Sequence, residues 1–333
     1  MASESSSSQV TVSNETTPLI SKENGRNDKK AEIYGLINMA LSALAFSIMS
    51  LLVKMGADNF PSFEMVFARS VIQTVFALVG CIIYKTNPLG DAPVRKWLLV
   101  RGVFGTASLC FFYYSISNLP LADANVLFFL GPAMTAILAA LLLGESFTFF
   151  DASCSATCVI GVILVAKPEF IFGSGQSTPF VGGSETHRMI AIGCAITGAL
   201  MSSIAYITVR KMGKGASFIV VVFSFGFIAS VISAIGMTTI QTFVWPKGFA
   251  QWSILLWVGI FAFVGQCLMV KGLQSTPAGP ATLMRMNDIV FAFIFGSVFL
   301  DEYPDLFSVI GSAIIVGATV AMGWRNYKSK AKR

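Results

Sequence analysis

Ten apolar segments follow one another along this chain of 333 residues, with Gly and Pro recurring at their ends. About 20 apolar residues are what a helix needs to cross the hydrocarbon core of a bilayer. The sequence therefore predicts an all-α integral membrane protein with ten transmembrane helices. The segments cover approximately residues 34–53, 62–83, 97–116, 122–143, 147–166, 189–209, 218–238, 252–273, 280–299 and 304–324.

The composition excludes several other classes of protein. Only 12% of the residues are charged, against about 25% in a soluble domain, which excludes a soluble enzyme, a secreted disulfide scaffold and a nucleic-acid-binding protein. The six cysteines lie in apolar runs, and the one histidine, His187, falls in a loop. We therefore expect neither a metal site nor a cofactor. The sequence also contains no phosphate-binding loop and no catalytic constellation, so we do not expect an enzyme.

The distribution of Lys and Arg predicts the orientation of the helices. With the N-terminus in the cytosol, 16 of the 23 basic residues fall on the cytosolic side, four fall on the other side and three lie within helices. Basic residues are enriched in cytosolic loops, so both termini are predicted to be cytosolic. The chain then divides into a disordered cytosolic tail (1–33), two five-helix units (34–166 and 189–324), a non-cytosolic loop (167–188) and a basic cytosolic tail (325–333).

An offset of 157 residues relates the two five-helix units. Gly102, Pro120 and Glu145 recur as Gly259, Pro277 and Glu302, as do several of their neighbours. Because each unit has an odd number of helices, the second copy must be inverted relative to the first. Inverted repeats are an architecture of secondary transporters, which hold the substrate near the midplane between the halves.

The chain resembles the drug/metabolite transporter superfamily with its paired EamA-type domains, and within it the G-type members of the solute carrier 35 group. The resemblance rests on three kinds of motif. An acidic step ends the fourth helix of each five-helix unit, Gly-Pro lies within the fourth helix of the first unit, and Phe-Ala-Arg lies within the second helix of that unit. It implies a carrier of small organic solutes with a central cavity lined by helices 1, 3, 4, 6, 8 and 9. These motifs occupy residues 141–145, 299–302, 131–132 and 67–69.

Charged residues within the helices are the candidates for substrate binding, because a charge inside a bilayer is costly. Arg285 and Asp288 are three residues apart in the ninth segment, hence on one helical face. Asp288 would lie roughly 12 Å from the start of that segment. Arg285 either binds an anionic group of the substrate, with Asp288 positioning it or taking a proton, or it forms an internal ion pair that only locks the helix. Asn287 is a candidate neighbour.

Four further residues carry weaker predictions. Arg69 offers a planar fork suited to carboxylate or phosphate, or else pairs with Asp123 or Glu64 to hold helices together. Asn125 is placed either to face a cavity or to bond across helices, and Tyr114 either lines a cavity or anchors the helix at the membrane interface. Arg101, four residues inside the third segment, is expected to extend to the cytosolic surface. Glu145 and Glu302 are expected to be structural.

The most consistent function is secondary transport of a small organic solute, an organic anion or metabolite, by alternating access. Two alternatives remain, a nucleotide-sugar antiporter of the secretory pathway and a non-transporting membrane scaffold or regulator. Glu15, Leu19 and Ile20 match an acidic dileucine sorting signal, which makes sorting adaptors candidate partners besides the solute and the lipid bilayer. The predicted location is the plasma membrane or an endolysosomal or secretory membrane.

Overall fold

A computed structural model of the protein describes residues 25–56, 59–118, 127–145, 148–166, 185–240, 244–299 and 306–329, and regular structure within these ranges is helical throughout. A short 3-10 turn, Gly213–Gly215, follows the sixth helix. The helices are α1 (Gly25–Gly56), α2 (Ser62–Ile83), α3 (Ala92–Asn118), α4 (Gly131–Leu143), α5 (Phe149–Ala166), α6 (Glu185–Met212), α7 (Phe218–Ile240), α8 (Phe249–Ser275), α9 (Ala278–Met284), α10 (Asn287–Phe299) and α11 (Leu306–Ser329).

Seven spans in the described part of the chain are long and apolar enough to cross a membrane. Two shorter apolar helices, Gly131–Leu143 and Phe149–Val165, accompany them. The structure confirms the all-α class and is consistent with an integral membrane protein. The seven spans are Ala31–Gly56, Phe63–Ile83, Met189–Gly215, Phe218–Thr239, Phe249–Ser275, Ala278–Phe299 and Leu306–Arg325.

Helix contacts between the two halves of the chain come in equivalent pairs. A contact of one helix with a helix of the other half recurs between the two helices that correspond to them. Helix α1 packs along α8, and α6 packs along α3. Likewise α2 contacts α8 while α7 contacts α3, and α2 and α7 also pack on each other. Glycines allow two of these contacts, because a Cβ added at Gly102 would overlap Ile228 of α7 and one added at Gly259 would overlap Ile72 of α2.

The ninth segment, predicted as one helix over 280–299, is interrupted. Helix α9 ends at Met284, α10 begins at Asn287, and a turn at Arg285 and Met286 separates them. The backbone N–H groups of Arg285 and Met286 donate to carbonyls only three residues earlier, at 3.2 and 3.0 Å. The regular pattern of bonds four residues apart is thus lost at the pair of charged residues.

The fourth segment, predicted over 122–143, is interrupted within one residue of the matching position. Residues 127–128 are helical, residues 129–130 form a turn, and α4 begins at Gly131. The predicted Gly131-Pro132 motif thus begins a helix, and Pro is well suited to the first helical turn because it lacks an N–H. Helix α4 ends at Leu143, and Gly144, which follows it, adopts a φ of +64°, a conformation that favours glycine.

The ends of the chain differ from their predicted boundaries. Helix α1 begins at Gly25, so residues 25–33 are helical although a disordered tail is predicted for residues 1–33, and α11 continues to Ser329 inside the predicted basic tail. Lys and Arg are good helix formers, so both apolar helices continue into their charged flanks. The predicted sorting signal at Glu15, Leu19 and Ile20, residue Asn125 and most of the predicted loop 167–188 lie outside the described residues.

The two largest apolar cores among the described residues join most of the helices. The larger core joins α1, α2, α3, α6, α7 and α8, with Met39, Met269 and Leu273 among its fully buried side chains. The second core joins α5 and α11 to the α9–α10 turn and includes Cys158 and Met286. Arg285 therefore lies at the turn where the two cores adjoin.

Candidate functional site

Arg285 is held in the turn between α9 and α10 by groups from three other elements. Its guanidinium carbon lies 4.4 Å from the centre of the Phe46 ring on α1, a cation–π geometry. Its Nη1 donates to the hydroxyl of Tyr206 on α6 and to the sulfur of Met269 on α8, each at 3.4 Å. The interruption of the ninth segment thus places a cation between α1, α6 and α8.

Asp288 and Asn287 lie in the first turn of α10. Asp288 forms the predicted ion pair with Arg285, with an Nη2–Oδ2 distance of 3.3 Å and side chains that are 19% and 15% exposed for Arg285 and Asp288. Asn287 donates its amide to the Met284 carbonyl at 2.9 Å and accepts a hydrogen bond from Thr319 of α11 at 3.4 Å. Asn287 therefore joins the end of α9 to α11 across the turn.

Arg101 lies in the interior of the protein, which contradicts the prediction that it extends to the cytosolic surface. Its side chain is only 2% exposed, and its guanidinium carbon lies 4.4 Å from the centre of the Phe225 ring on α7. Its Nη2 donates to Gln266 Oε1 on α8 at 3.4 Å. Arg101 also lies near Tyr206, and it is close enough to Arg285 for the two positive charges to repel each other.

These residues form one group, which we call the arginine cluster: Phe46, Arg101, Tyr206, Gln266, Met269, Arg285 and Asp288. The cluster draws side chains from α1, α3, α6, α8 and the α9–α10 turn, five of the six elements that the resemblance implies around a central cavity. Arg285 lies about 10 Å from the start of α9 at 1.5 Å per residue, well inside a hydrocarbon core that is about 30 Å thick. Its groups can donate hydrogen bonds to a carboxylate or phosphate and accept one at Asp288.

An ion-pair network lies between the arginine cluster and the nearer end of the helices. Glu145 Oε1 accepts a hydrogen bond from Nε of Arg210 on α6 at 2.8 Å, and Glu145 Oε2 accepts one from the backbone N–H of Ala278 at the start of α9 at 2.8 Å. Arg210 also donates to the carbonyl of Gln274 at 3.3 Å. We call this end of the bundle the Glu145 end. Glu145 joins α4, α6 and α9, in keeping with the structural role expected of it.

The opposite end of the bundle has a comparable contact. Glu64 accepts a hydrogen bond from the backbone N–H of Val244, just before α8, at 3.0 Å. We call this end the Glu64 end. An acidic side chain thus joins separate parts of the chain at each end, with the arginine cluster between the two contacts.

The remaining predicted site residues are not all brought together. Arg69 is 8% exposed on α2, so its side chain is surrounded by protein. Tyr114 is 41% exposed and follows Arg101 by 13 residues on α3, about 20 Å along the helix. The structure therefore does not place Tyr114 in the arginine cluster, and Asn125 lies outside the described residues.

Sequence reasoning missed the partners of the two arginines. Tyr206, Gln266 and Phe46 are single residues in long apolar helices, and nothing in their spacing distinguishes them from residues that serve packing. Gln266 is the one with a usable signal, because it is a polar side chain between Phe263 and Met269 in a strongly apolar run. The ion pair between Glu145 and Arg210 joins residues 65 positions apart, and no local motif indicates it.

Comparison with known proteins shows what the chain is similar to. A model of the EamA-like transporter family matches it twice, over residues 33–167 and 189–324. Solute carrier family 35 member G1 of Homo sapiens is 31% identical over 322 residues, covering 95% of this chain and 87% of the relative. The pseudopaline exporter CntI of Pseudomonas aeruginosa is 27% identical over 86% of this chain and 95% of its own.

A solved crystal structure shares the fold. It superposes with a TM-score of 0.72 at 17% identity, covering 87% of this chain and 95% of the other. A probable transport protein of Saccharomyces cerevisiae is 34% identical over 242 residues, covering 70% of this chain and 69% of the relative. Together with the twofold match of the family model, these likenesses confirm the predicted resemblance to the drug/metabolite transporter superfamily and its solute carrier 35 G-type members. The chain belongs to the EamA-like transporter family.

Proposed function

We propose that this protein is a secondary transporter that carries a small organic anion by alternating access, with Arg285 as the residue that binds the anionic group. The observation that carries the proposal is the partly buried cation at the interruption between α9 and α10. Helices interrupted within the membrane are typical of transporter substrate sites, since the freed backbone ends and nearby charges contact the solute. Family membership supports transport, and the cluster supports the choice of an anion.

The two interrupted helices occupy corresponding places in the proposed inverted repeats. The turns at residues 129–130 and 285–286 are 156 positions apart, within one residue of the repeat offset of 157, and each is followed directly by a helix. The Gly131 carbonyl accepts a hydrogen bond from Ser203 of α6 at 2.9 Å, which ties the first interruption to the second half of the chain. Paired interruptions at matching positions support a substrate path between the two halves.

The charges of the cluster favour an anion over a cation or a neutral solute. Arg101 and Arg285 bring two positive charges, and Asp288 brings one negative charge. A buried charge is costly unless it is paired, and an anionic solute would supply the missing partner. Asp288 then orients the Arg285 guanidinium, Phe46 supports its face, and Asn287 holds the turn in place.

Alternating access also needs an orientation, for which we propose that both termini are cytosolic. Thr276 Oγ1 donates to the carbonyl of Glu32 near the beginning of α1 at 3.0 Å, and Arg325 near the end of α11 pairs with Asp151 at 3.0 Å. The beginning of α1 and the end of α11 thus both lie at the Glu145 end. Tags on the two termini should be accessible only from the cytosol, and a tag accessible only from outside contradicts the proposal.

Flux measured in vesicles tests the role of Arg285. Purified protein in proteoliposomes should take up at least one of three labelled carboxylates, lactate, succinate or glutamate, in preference to choline and glucose. Arg285→Ala should abolish this flux while the protein still folds. Arg285→Lys should lose most of it, because an ammonium lacks the bidentate fork of a guanidinium.

The double variant Arg285→Leu with Asp288→Leu separates binding from packing. If Arg285 only neutralises Asp288, the single variant fails to fold and the double variant recovers both folding and transport, whereas with a binding role the double variant folds but does not transport. Flux per folded protein is the quantity to compare. Restored transport contradicts the binding role, and wild-type vesicles that carry none of the probes contradict transport of an organic anion and favour the scaffold alternative.

A further inference from the structure

Arg101 carries a buried positive charge that the described residues do not neutralise. The side chain is 2% exposed, and its Nε has no hydrogen-bond partner. Among the residues that the structure describes, no carboxylate lies within 4.0 Å of this guanidinium. Burying a charge without a partner is costly, so the position calls for an explanation beyond packing.

The surroundings of Arg101 hold the guanidinium in place without cancelling its charge. Phe225 lies against one face at 4.4 Å, and Gln266 accepts a single hydrogen bond at 3.4 Å. Gly105, one turn further along α3, leaves the space that the guanidinium occupies, because a Cβ at this position would overlap it. Gly105 and Phe225 thus hold the guanidinium in one position, and its Nε–H remains available to a further acceptor.

The two arginines contact neighbouring positions on one helix. Gln266, which binds Arg101, and Met269, which contacts Arg285, are three residues apart on α8. Residues at this spacing lie on one face of a helix, about 5–6 Å apart. The two guanidinium groups therefore lie side by side along α8, and their charges interact.

We propose that Arg101 is a second anion-binding residue of the transport site, so that the carboxylate of an organic acid lies between Arg101 and Arg285. This inference rests on the proposed function and extends it to a residue outside the α9–α10 turn. The carboxylate would supply the negative charge that the cluster lacks, and two guanidinium groups, one from α3 and one from the α9–α10 turn, would close around it. Bidentate binding of a carboxylate by arginine is among the strongest polar contacts available.

The competing explanation is that Arg101 only ties α3 to α8 through Gln266. The two explanations differ in what they predict for the empty protein. If Arg101 only joins the two helices, its hydrogen bond stabilises the protein without solute, so removing it lowers the melting temperature. If Arg101 is retained for binding, its uncompensated buried charge destabilises the protein without solute. Removing that charge then raises the melting temperature.

The experiment compares Arg101→Gln with Arg95→Gln, an exposed arginine on the same helix whose Nη2 donates to a loop carbonyl at 3.2 Å. The melting temperature of each purified variant is measured without solute, and uptake of lactate, succinate and glutamate is measured in proteoliposomes. Arg101→Gln should melt higher than the wild type, and its KM for the carried carboxylate should rise about tenfold or more. Arg95→Gln should change neither quantity.

A lower melting temperature for Arg101→Gln, or an unchanged KM, overturns the inference and leaves Arg101 as a tie between helices. Arg101→Lys gives an independent reading, because it keeps the charge but lacks the fork and should recover only part of the KM. If the wild type carries none of the three carboxylates, the proposed function fails on its own account. The comparison of melting temperatures still decides whether Arg101 is a tie or a destabilising charge.

Discussion

Removal of the Glu145 carboxylate should open the Glu145 end of the bundle. Glu145 holds Arg210 and the N–H of Ala278, each at 2.8 Å. These two contacts join α4 to α6 and to α9. If the solute reaches the arginine cluster from this end, both contacts must break during each transport cycle. Glu145→Ala breaks them permanently.

The structure sets the size of the effect. Breaking a buried ion pair costs about 3–5 kcal/mol in soluble proteins. The Glu145 and Arg210 side chains are each 17% exposed, so water partly solvates the charge that is left when the ion pair is broken. The lower end of that range therefore applies, ~3 kcal/mol. Since about 1.4 kcal/mol is a factor of ten in an equilibrium constant, the open form should gain roughly a hundredfold in population.

Cysteine labelling measures this change. Thr276 is fully buried at the Glu145 end and is similar in size to cysteine, so Thr276→Cys should react with a maleimide only when this end opens. The labelling rate should rise about a hundredfold in Glu145→Ala. Adding Arg210→Gln to Glu145→Ala should raise it no further, because the ion pair is already lost. The parent protein without Thr276→Cys gives the background from native cysteines.

Glu64→Ala is the matched control, because it removes an acidic contact from the opposite end. It should leave labelling of Thr276→Cys at or below its rate in the parent protein. If labelling is unchanged in folded Glu145→Ala, or rises equally in Glu64→Ala, the Glu145 network does not hold this end closed and the reasoning is wrong.

Four further substitutions should have distinct effects. Asn287→Ala removes two hydrogen bonds at the α9–α10 turn and should destabilise the protein by about 1–3 kcal/mol, which a lower melting temperature in detergent would show. Gly161→Ala places a methyl group 2.9 Å from the Gly311 carbonyl and should lower the melting temperature, whereas Gly317→Ala on α11, with open space around it, should leave it equal or higher. Gly105→Ala overlaps Arg101 and should reduce carboxylate flux per folded protein, and unchanged flux would contradict the placement of that guanidinium.

The apolar helices were predictable because the constraint on them is local. Every backbone group in a bilayer must find its partner within the helix, so a run of about 20 apolar residues is enough to indicate a span. The interruption at Arg285 was not predictable in this way, because Leu-Met-Arg-Met within 283–286 is compatible with a continuous helix. Asn287, which follows the turn, contacts Thr319, a residue 32 positions away, and no local pattern indicates this contact.

The position of Arg101 was misjudged for a related reason. The third segment is predicted from residue 97, which puts Arg101 about 6 Å from its start, whereas α3 begins at Ala92 and puts it about 14 Å in. Charged residues near a helix end obscure the boundary, because Arg95 and Lys96 resemble a loop in composition. The ion pair between Arg285 and Asp288 is predictable from the sequence, because a spacing of three residues is a local property.

The crossing of α5 and α11 bears on how the two halves of the chain meet. Gly161 and Gly311 face each other so closely that a Cβ on Gly311 would lie 2.6 Å from the Gly161 carbonyl. At the offset of 157 residues their counterparts are Ala318 and Cys154, which are buried in the same core. Two equivalent helices that cross at a twofold axis form an interface in which like surfaces meet. If the two units are inverted copies, as the offset of 157 residues predicts, α5 and α11 are such helices, and each half of the chain presents to the other the same surface that it receives.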